Sequence, residues 1–158
     1  MPSKLKKMNK ILVANRGEIA VRIMRSAKEM GIKTIAVYSE ADRYAPHVLM
    51  ADEAVCIGPP PSSESYLLGD KIIQTAIDLK ADGIHPGYGF LSENHLFAQS
   101  VQDAGLKFIG PSSSSIEVMG NKLMAKKTVV EYGIPMVPGT DEALKDKDEA
   151  IKVASSIG

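Results

Sequence analysis

Two periodicities alternate along this chain. Lys10-Ile-Leu-Val-Ala-Asn15 is a short apolar run rich in branched residues, as a strand buried on both faces requires. From Glu18 to Met30 the apolar residues Ile19, Ala20, Ile23, Met24, Ala27 and Met30 recur at helical spacing, and Gly31 stands where a helix ends in a left-handed turn. The same alternation predicts strands over Thr34–Tyr38, Ala54–Ile57, Gly83–His85 and Leu106–Ile109. Helices are predicted over Asp70–Lys80 and Glu93–Ala104, the latter with Ser92 as its N-cap. Strands separated by helices need crossover connections, which implies a parallel sheet covered on both faces.

Residues 10–110 are therefore expected to form one doubly wound α/β domain, preceded by a basic leader over 1–9. After Gly110-Pro111 the strand signal stops. Residues 111–158 read as a Ser-rich stretch and linker helices, from about Asn121 to Tyr132, with Asn121 as N-cap, and from about Asp146 to Ser156. Their apolar positions Met124, Val129, Val130, Ile151 and Val153 are expected to lie open in the isolated chain.

With 158 residues and 44% apolar content, the chain is long enough for one self-supporting core, so a disordered tail is excluded. No apolar run approaches the length of a membrane span or a secretory signal, and a cytoplasmic setting is expected. A single Cys, Cys56, excludes an internal disulfide, and three scattered His offer no recognisable metal spacing. Net charge is zero. Four of the ten Lys and Arg among residues 1–50 sit at Lys4, Lys6, Lys7 and Lys10, so the basic excess belongs to the leader and argues against a nucleic-acid surface.

Ligands of open α/β sheets bind beyond the carboxyl ends of the strands, which directs attention to the loops there. Asn15-Arg16-Gly17-Glu18 lacks the Gly-x-Gly-x-x-Gly of a dinucleotide turn, so that reading fails. His85-Pro-Gly-Tyr-Gly-Phe-Leu-Ser-Glu-Asn94 is the most unusual segment: two Gly around Tyr88 permit a turn that holds an aromatic outward, while His85 alone reads as structural. On the first helix Glu18, Arg22, Arg25 and Glu29 form a charged stripe. Its i, i+4 pairs Glu18–Arg22 and Arg25–Glu29 are worth about 0.2–0.5 kcal/mol each on a solvated face, and the same signs suit a two-fold contact. Lys122, at a predicted helix start, is unhelpful to the helix dipole unless a phosphate needs it there.

Ile-Leu-Val-Ala-Asn15-Arg16-Gly17-Glu18-Ile-Ala, Ala51-Asp52-Glu53-Ala-Val, Ser65-Tyr66-Leu67, the His85–Asn94 segment, Phe108-Ile-Gly-Pro111 and Met119-Gly-Asn-Lys122 occur in order. Together they closely resemble biotin carboxylase, the ATP-dependent component of acetyl-CoA, propionyl-CoA and pyruvate carboxylases. The resemblance implies a Rossmann-like N-terminal domain of an ATP-grasp ligase. In that enzyme ATP, with magnesium, and bicarbonate give carboxyphosphate, and carbon dioxide passes to the ureido nitrogen of biotin on a carrier protein.

Carried over residue by residue, the resemblance makes Lys122 an ATP contact and Tyr88, Gly89 and Phe90 the loop lining the biotin site. It places Arg22, Arg25 and Glu29 in a homodimer interface. The family usually has Asp where this chain has Asn121. No catalytic residue and no metal ligand is assigned within these 158 residues. Implied partners are the remainder of a biotin carboxylase chain, the biotin carboxyl carrier and a carboxyltransferase; the implied compartment is the cytoplasm, or the mitochondrial matrix in a eukaryote. Because the sequence stops at Ile157-Gly158, ahead of the second ATP-binding lysine and the Gly-rich phosphate loop, it is expected to be an inactive N-terminal fragment of about a third of the enzyme. The alternative is a stand-alone, non-catalytic binding or assembly module derived from this domain.

Overall fold

The computed structural model describes residues 7–135, 140 and 144–157, apart from the side chains of Lys122, Leu123 and Ile157. Strands β1 (Lys10–Val13), β2 (Lys33–Ser39), β3 (Glu53–Gly58), β4 (Gly83–His85) and β5 (Lys107–Phe108) build one all-parallel sheet in the order β3-β2-β1-β4-β5. The chain winds from β1 through β2 to β3, then crosses to the other side of β1 for β4 and β5. This reversal makes the sheet doubly wound, with its switch point between β1 and β4. The crossovers carry α1 (Gly17–Glu29), α2 (Pro46–Met50), α3 (Gly69–Asp78) and α4 (His95–Asp103).

Alternation along the strands decides which helix each side chain meets. Ile11 and Val13 of β1, with Ala36 of β2, pack against Ala20, Met24 and Ala27 of α1. Leu12 lies between them in sequence and is fully enclosed, as are Ile35, Ile72 and Ile84. Phe108 of β5 meets Phe97 of α4 edge to face, with ring centroids 6.2 Å apart. At the end of α1 the Gly31 N–H bonds to the Lys28 carbonyl and the Ile32 N–H to that of Ala27, the paired bonds of a Schellman turn, as Gly31 predicts.

Local chemistry changes some expected boundaries. Asn94, and not Ser92, caps α4: its Oδ1 accepts the Phe97 N–H at 3.0 Å, so the helix begins at His95 and residues 91–93 stay in the loop. The short α2, started by Pro46, falls in a stretch too brief for periodicity to register.

By its internal contacts the chain divides into two compact units, Met1–Ser113 and Ser114–Gly158. A further helix, α5 (Ser113–Gly120), forms where only a Ser-rich connection is expected; it is followed by α6 (Lys122–Glu131) and α7 (Lys147–Ile157). Asn121 caps α6 as predicted, accepting the Met124 N–H at 3.1 Å. In this second unit Met124, Val130 and Ile151 are exposed. No helix among the described residues is long and apolar enough to cross a membrane.

Candidate functional site

Four loops converge at the carboxyl edge of the first unit's sheet. Asn15 and Arg16 leave β1, Ser39 and Asp42 leave β2, Tyr66 follows β3 after a 3₁₀ turn, and residues 86–90 leave β4. The β1 and β4 loops face each other across the switch point, where an open α/β sheet binds its ligand.

Asn15 joins those two loops. Its buried Nδ2 donates to the carbonyl oxygens of Pro86 and Tyr88, each at 2.8 Å, and its Oδ1 accepts the Arg16 N–H at 2.9 Å. Three of the four hydrogen bonds an asparagine amide readily makes are thereby used. The His85 Nδ1 accepts the Gly87 N–H at 3.1 Å, which gives that histidine the structural role expected of it, and its burial lowers its pKa. Held at both ends, the loop carries Tyr88 outward with 64% of its surface exposed.

Beside this loop lies a polar knot. The Asp42 Oδ2 accepts from the Tyr66 hydroxyl at 2.7 Å, from the Ser39 hydroxyl at 3.1 Å and from the Arg16 guanidinium at 3.1 Å. The Tyr66 hydroxyl also accepts the Ser39 N–H at 3.0 Å. Burial alone would raise the Asp42 carboxyl, but the hydrogen bonds from Tyr66 and Ser39 and the Arg16 charge outweigh it and hold the pKa below its usual value. Burial, reinforced by the bond to Asp42, pushes the Tyr66 hydroxyl up to about 12. The Tyr66 ring stacks on Phe90 with centroids 5.2 Å apart and planes 13° from parallel, while the Arg16 guanidinium lies over it at 5.8 Å.

Tyr88, Gly89 and Phe90 thus stand together beside the β1 loop, lining an open cleft of about 350 Å³ with Arg16 and Glu18. Tyr88 also shares a neighbouring cleft of about 450 Å³ with Glu18, Ile19 and Arg22. Arg22, Arg25 and Glu29 are exposed along α1. Among the described residues neither Glu18–Arg22 nor Arg25–Glu29 forms an ion pair; the ion pairs found in this unit are Arg16–Asp42 and Lys10–Glu53. Exposed long side chains gain too little from pairing in water to offset the entropy of being held. Lys122 opens α6 in the second unit, and its side chain lies outside the described residues. Asn15, Arg16, Asp42 and Tyr66 carry no functional expectation individually at the level of sequence. Tyr66 and Asp42 are 24 residues apart and meet only through the fold, and the sole sequence signal is that Asn15, Arg16 and Tyr66 fall inside the motifs that carry the resemblance.

Among the described residues no three His, Cys, Asp or Glu side chains cluster as a metal site would require, so no step through magnesium is assigned to them.

The sheet order defines an open, doubly wound α/β protein whose aromatic loop stands at the switch point. The family model "Biotin carboxylase, N-terminal domain" matches residues 7–116, and the chain belongs to that family. It is 54% identical over 150 residues to a chloroplastic biotin carboxylase of Arabidopsis thaliana, covering 95% of this chain and 28% of that protein. It is 52% identical over 152 residues to the biotin carboxylase of a Nostoc species, covering 96% of this chain and 34% of that protein. Among solved structures, the dimeric biotin carboxylase domain of Hydrogenobacter thermophilus 2-oxoglutarate carboxylase, in complex with MgADP, ADP and bicarbonate, superposes with a TM-score of 0.90 at 48% identity. That match covers 97% of this chain and 34% of the other. The chain spans about a third or less of the length of these relatives.

Proposed function

We propose that residues 1–158 are the N-terminal part of an ATP-grasp biotin carboxylase, a ligase that uses magnesium-bound ATP and bicarbonate to carboxylate biotin on a carrier protein. Residues 10–110 are its N-terminal domain and 111–158 its linker helices. The observation that carries the reading is the loop at the switch point: Tyr88 is exposed on a backbone fixed by Asn15, within the span of the family match.

ATP, when bound, supplies the energy for attaching carbon from bicarbonate to biotin; this chain's own contribution is to position. Tyr88, Gly89 and Phe90 offer biotin an aromatic wall beside the first turn of α1, and the ring of Tyr88 excludes water from one side of the ligand. Lys122 supplies one charge-assisted contact to ATP. Arg22, Arg25 and Glu29 meet a second copy across a two-fold axis, since a row of mixed charge can pair with its own image. The remaining partners are the rest of the carboxylase, a biotin carboxyl carrier and a carboxyltransferase, in a cytoplasmic or organellar matrix compartment; fatty acid biosynthesis through acetyl-CoA carboxylase is one setting.

The test is a chimaera in which residues 1–158 replace the first third of the Nostoc biotin carboxylase. Phosphate release that depends on both biotin and bicarbonate is the expected result. A folded chimaera without that turnover, beside an active parent, would contradict the proposal.

A further inference from the structure

We infer that Tyr66 is a positioning residue for the loop that presents Tyr88, acting through the Phe90 ring. The inference rests on the biotin-facing reading of that loop for its consequence in catalysis, and on the geometry of this chain for the anchoring itself.

Asn15 secures the loop at Pro86 and Tyr88, but its hydrogen bonds stop there. The next residues have a different problem. Phe90 adopts φ +45°, a left-handed conformation that a bulky side chain disfavours and keeps only when its surroundings hold it. The contact that holds it is the stack on Tyr66, and Tyr66 is suited to the task because it cannot move. Its ring is 1% exposed, and its hydroxyl is fixed from two directions, donating to Asp42 and accepting the Ser39 N–H. Asp42 is itself held by Ser39 and Arg16. Arg16 is the residue after Asn15, so both anchors of the loop start from one turn of chain after β1. The aromatic loop is therefore clamped twice: by an amide on its backbone near Tyr88 and by a buried phenol on the ring at Phe90.

Tyr66 is buried beneath the loop and not on its outer face, so its substitution should alter the order of the loop and not the chemistry. The experiment measures backbone order by NMR relaxation in the full 158-residue chain, for wild type, Tyr66→Leu, Tyr66→Phe and, as a control for general destabilisation, Ile72→Val in α3. In wild type the Tyr88 and Gly89 amides are expected at the order parameter of rigid backbone, about 0.85, and in Tyr66→Leu below about 0.6. Tyr66→Phe keeps the stack and should preserve most of the order, while Ile72→Val leaves the loop unchanged. Tyr88 and Gly89 as rigid in Tyr66→Leu as in wild type would overturn the inference. Should Tyr66→Leu not fold, Asp42→Asn takes its place with the same expectation in milder form. A kinetic arm separates this inference from the reading it rests on. In the chimaera, Tyr66→Leu is expected to raise KM for biotin while KM for ATP stays fixed. A loosened loop with biotin KM unchanged upholds the anchor and contradicts the biotin-facing assignment.

Discussion

Gly87 and Asn15 are in such close approach that only a glycine fits: a Cβ built at residue 87 would stand 2.6 Å from Nδ2 of Asn15 and 2.8 Å from its Cγ. Gly87 also has φ +69°, so an added side chain would be strained as well as obstructed. Nearby Gly89 has φ +65° with nothing within 4 Å of the same construction.

The two glycines should therefore respond differently to alanine. Gly89→Ala should cost about 1–2 kcal/mol of stability, the penalty of a left-handed backbone alone. Gly87→Ala should cost about 2–4 kcal/mol, because displacing Asn15 also forfeits its bonds to Pro86 and Tyr88. Urea titration of both variants checks this, and equal losses would mean that Asn15 yields freely.

The acid dependence of stability should be carried in part by His47. This side chain, carried on α2, is fully enclosed, and burial lowers its pKa against the opposing influence of the Val37 backbone and of Asp42, so the folded chain favours its neutral form. The unfolded chain takes up a proton near pH 6.5, so stability is fully present above that pH. It falls with acidification at up to about 1.4 kcal/mol per pH unit until the folded pKa is reached. His85 acts in the same direction. Asp42, also lowered, withdraws its contribution only below its unfolded pKa, near 3.8. Between pH 7 and 5, His47→Gln should flatten the stability curve, and an unchanged slope in urea titrations would refute this.

The strands, the three longer helices of the first unit and the doubly wound class are legible because runs such as Ile11 to Val13 and Ile19 to Met30 repeat with clean periods, whereas α2 is too short to show one. Tyr88 is legible as an outward aromatic because Gly, Pro and an exposed aromatic in one loop have no simpler explanation. Periodicity is silent where a residue's role depends on a distant partner. Nothing near Asp42 announces that its carboxylate collects Tyr66, Ser39 and Arg16, and nothing near Asn94 shows that it, two residues beyond Ser92, caps α4. The charged stripe on α1 is legible as a face but not as pairs, since solvent competes for each charge.

That stripe leads to a prediction about assembly. With Arg22, Arg25 and Glu29 exposed and unpaired with their helical neighbours, any self-association of the chain should run through them. Exposed ion pairs contribute about 0–1 kcal/mol each, so the dimer should be weak. Sedimentation equilibrium should show Arg25→Glu shifting the population to monomer, and a dimer indifferent to that reversal would exclude this face.

The isolated chain should also bind magnesium-ATP poorly. One charge-assisted contact from Lys122 is worth about 1.5–3 kcal/mol, whereas micromolar affinity needs about 8 kcal/mol. Calorimetry is expected to show no micromolar binding. A micromolar Kd abolished by Lys122→Ala would reveal a nucleotide site complete within these residues.

Whether the loop at the sheet's switch point faces biotin is tested most directly by the effect of Tyr88→Ala on the chimaera's separate Michaelis constants. Removing an exposed aromatic wall should raise KM for biotin about tenfold, the loss of roughly 1.4 kcal/mol of binding, while KM for ATP and for bicarbonate stay where they were. A biotin KM unmoved by Tyr88→Ala, or a rise shared equally by ATP, would contradict the account.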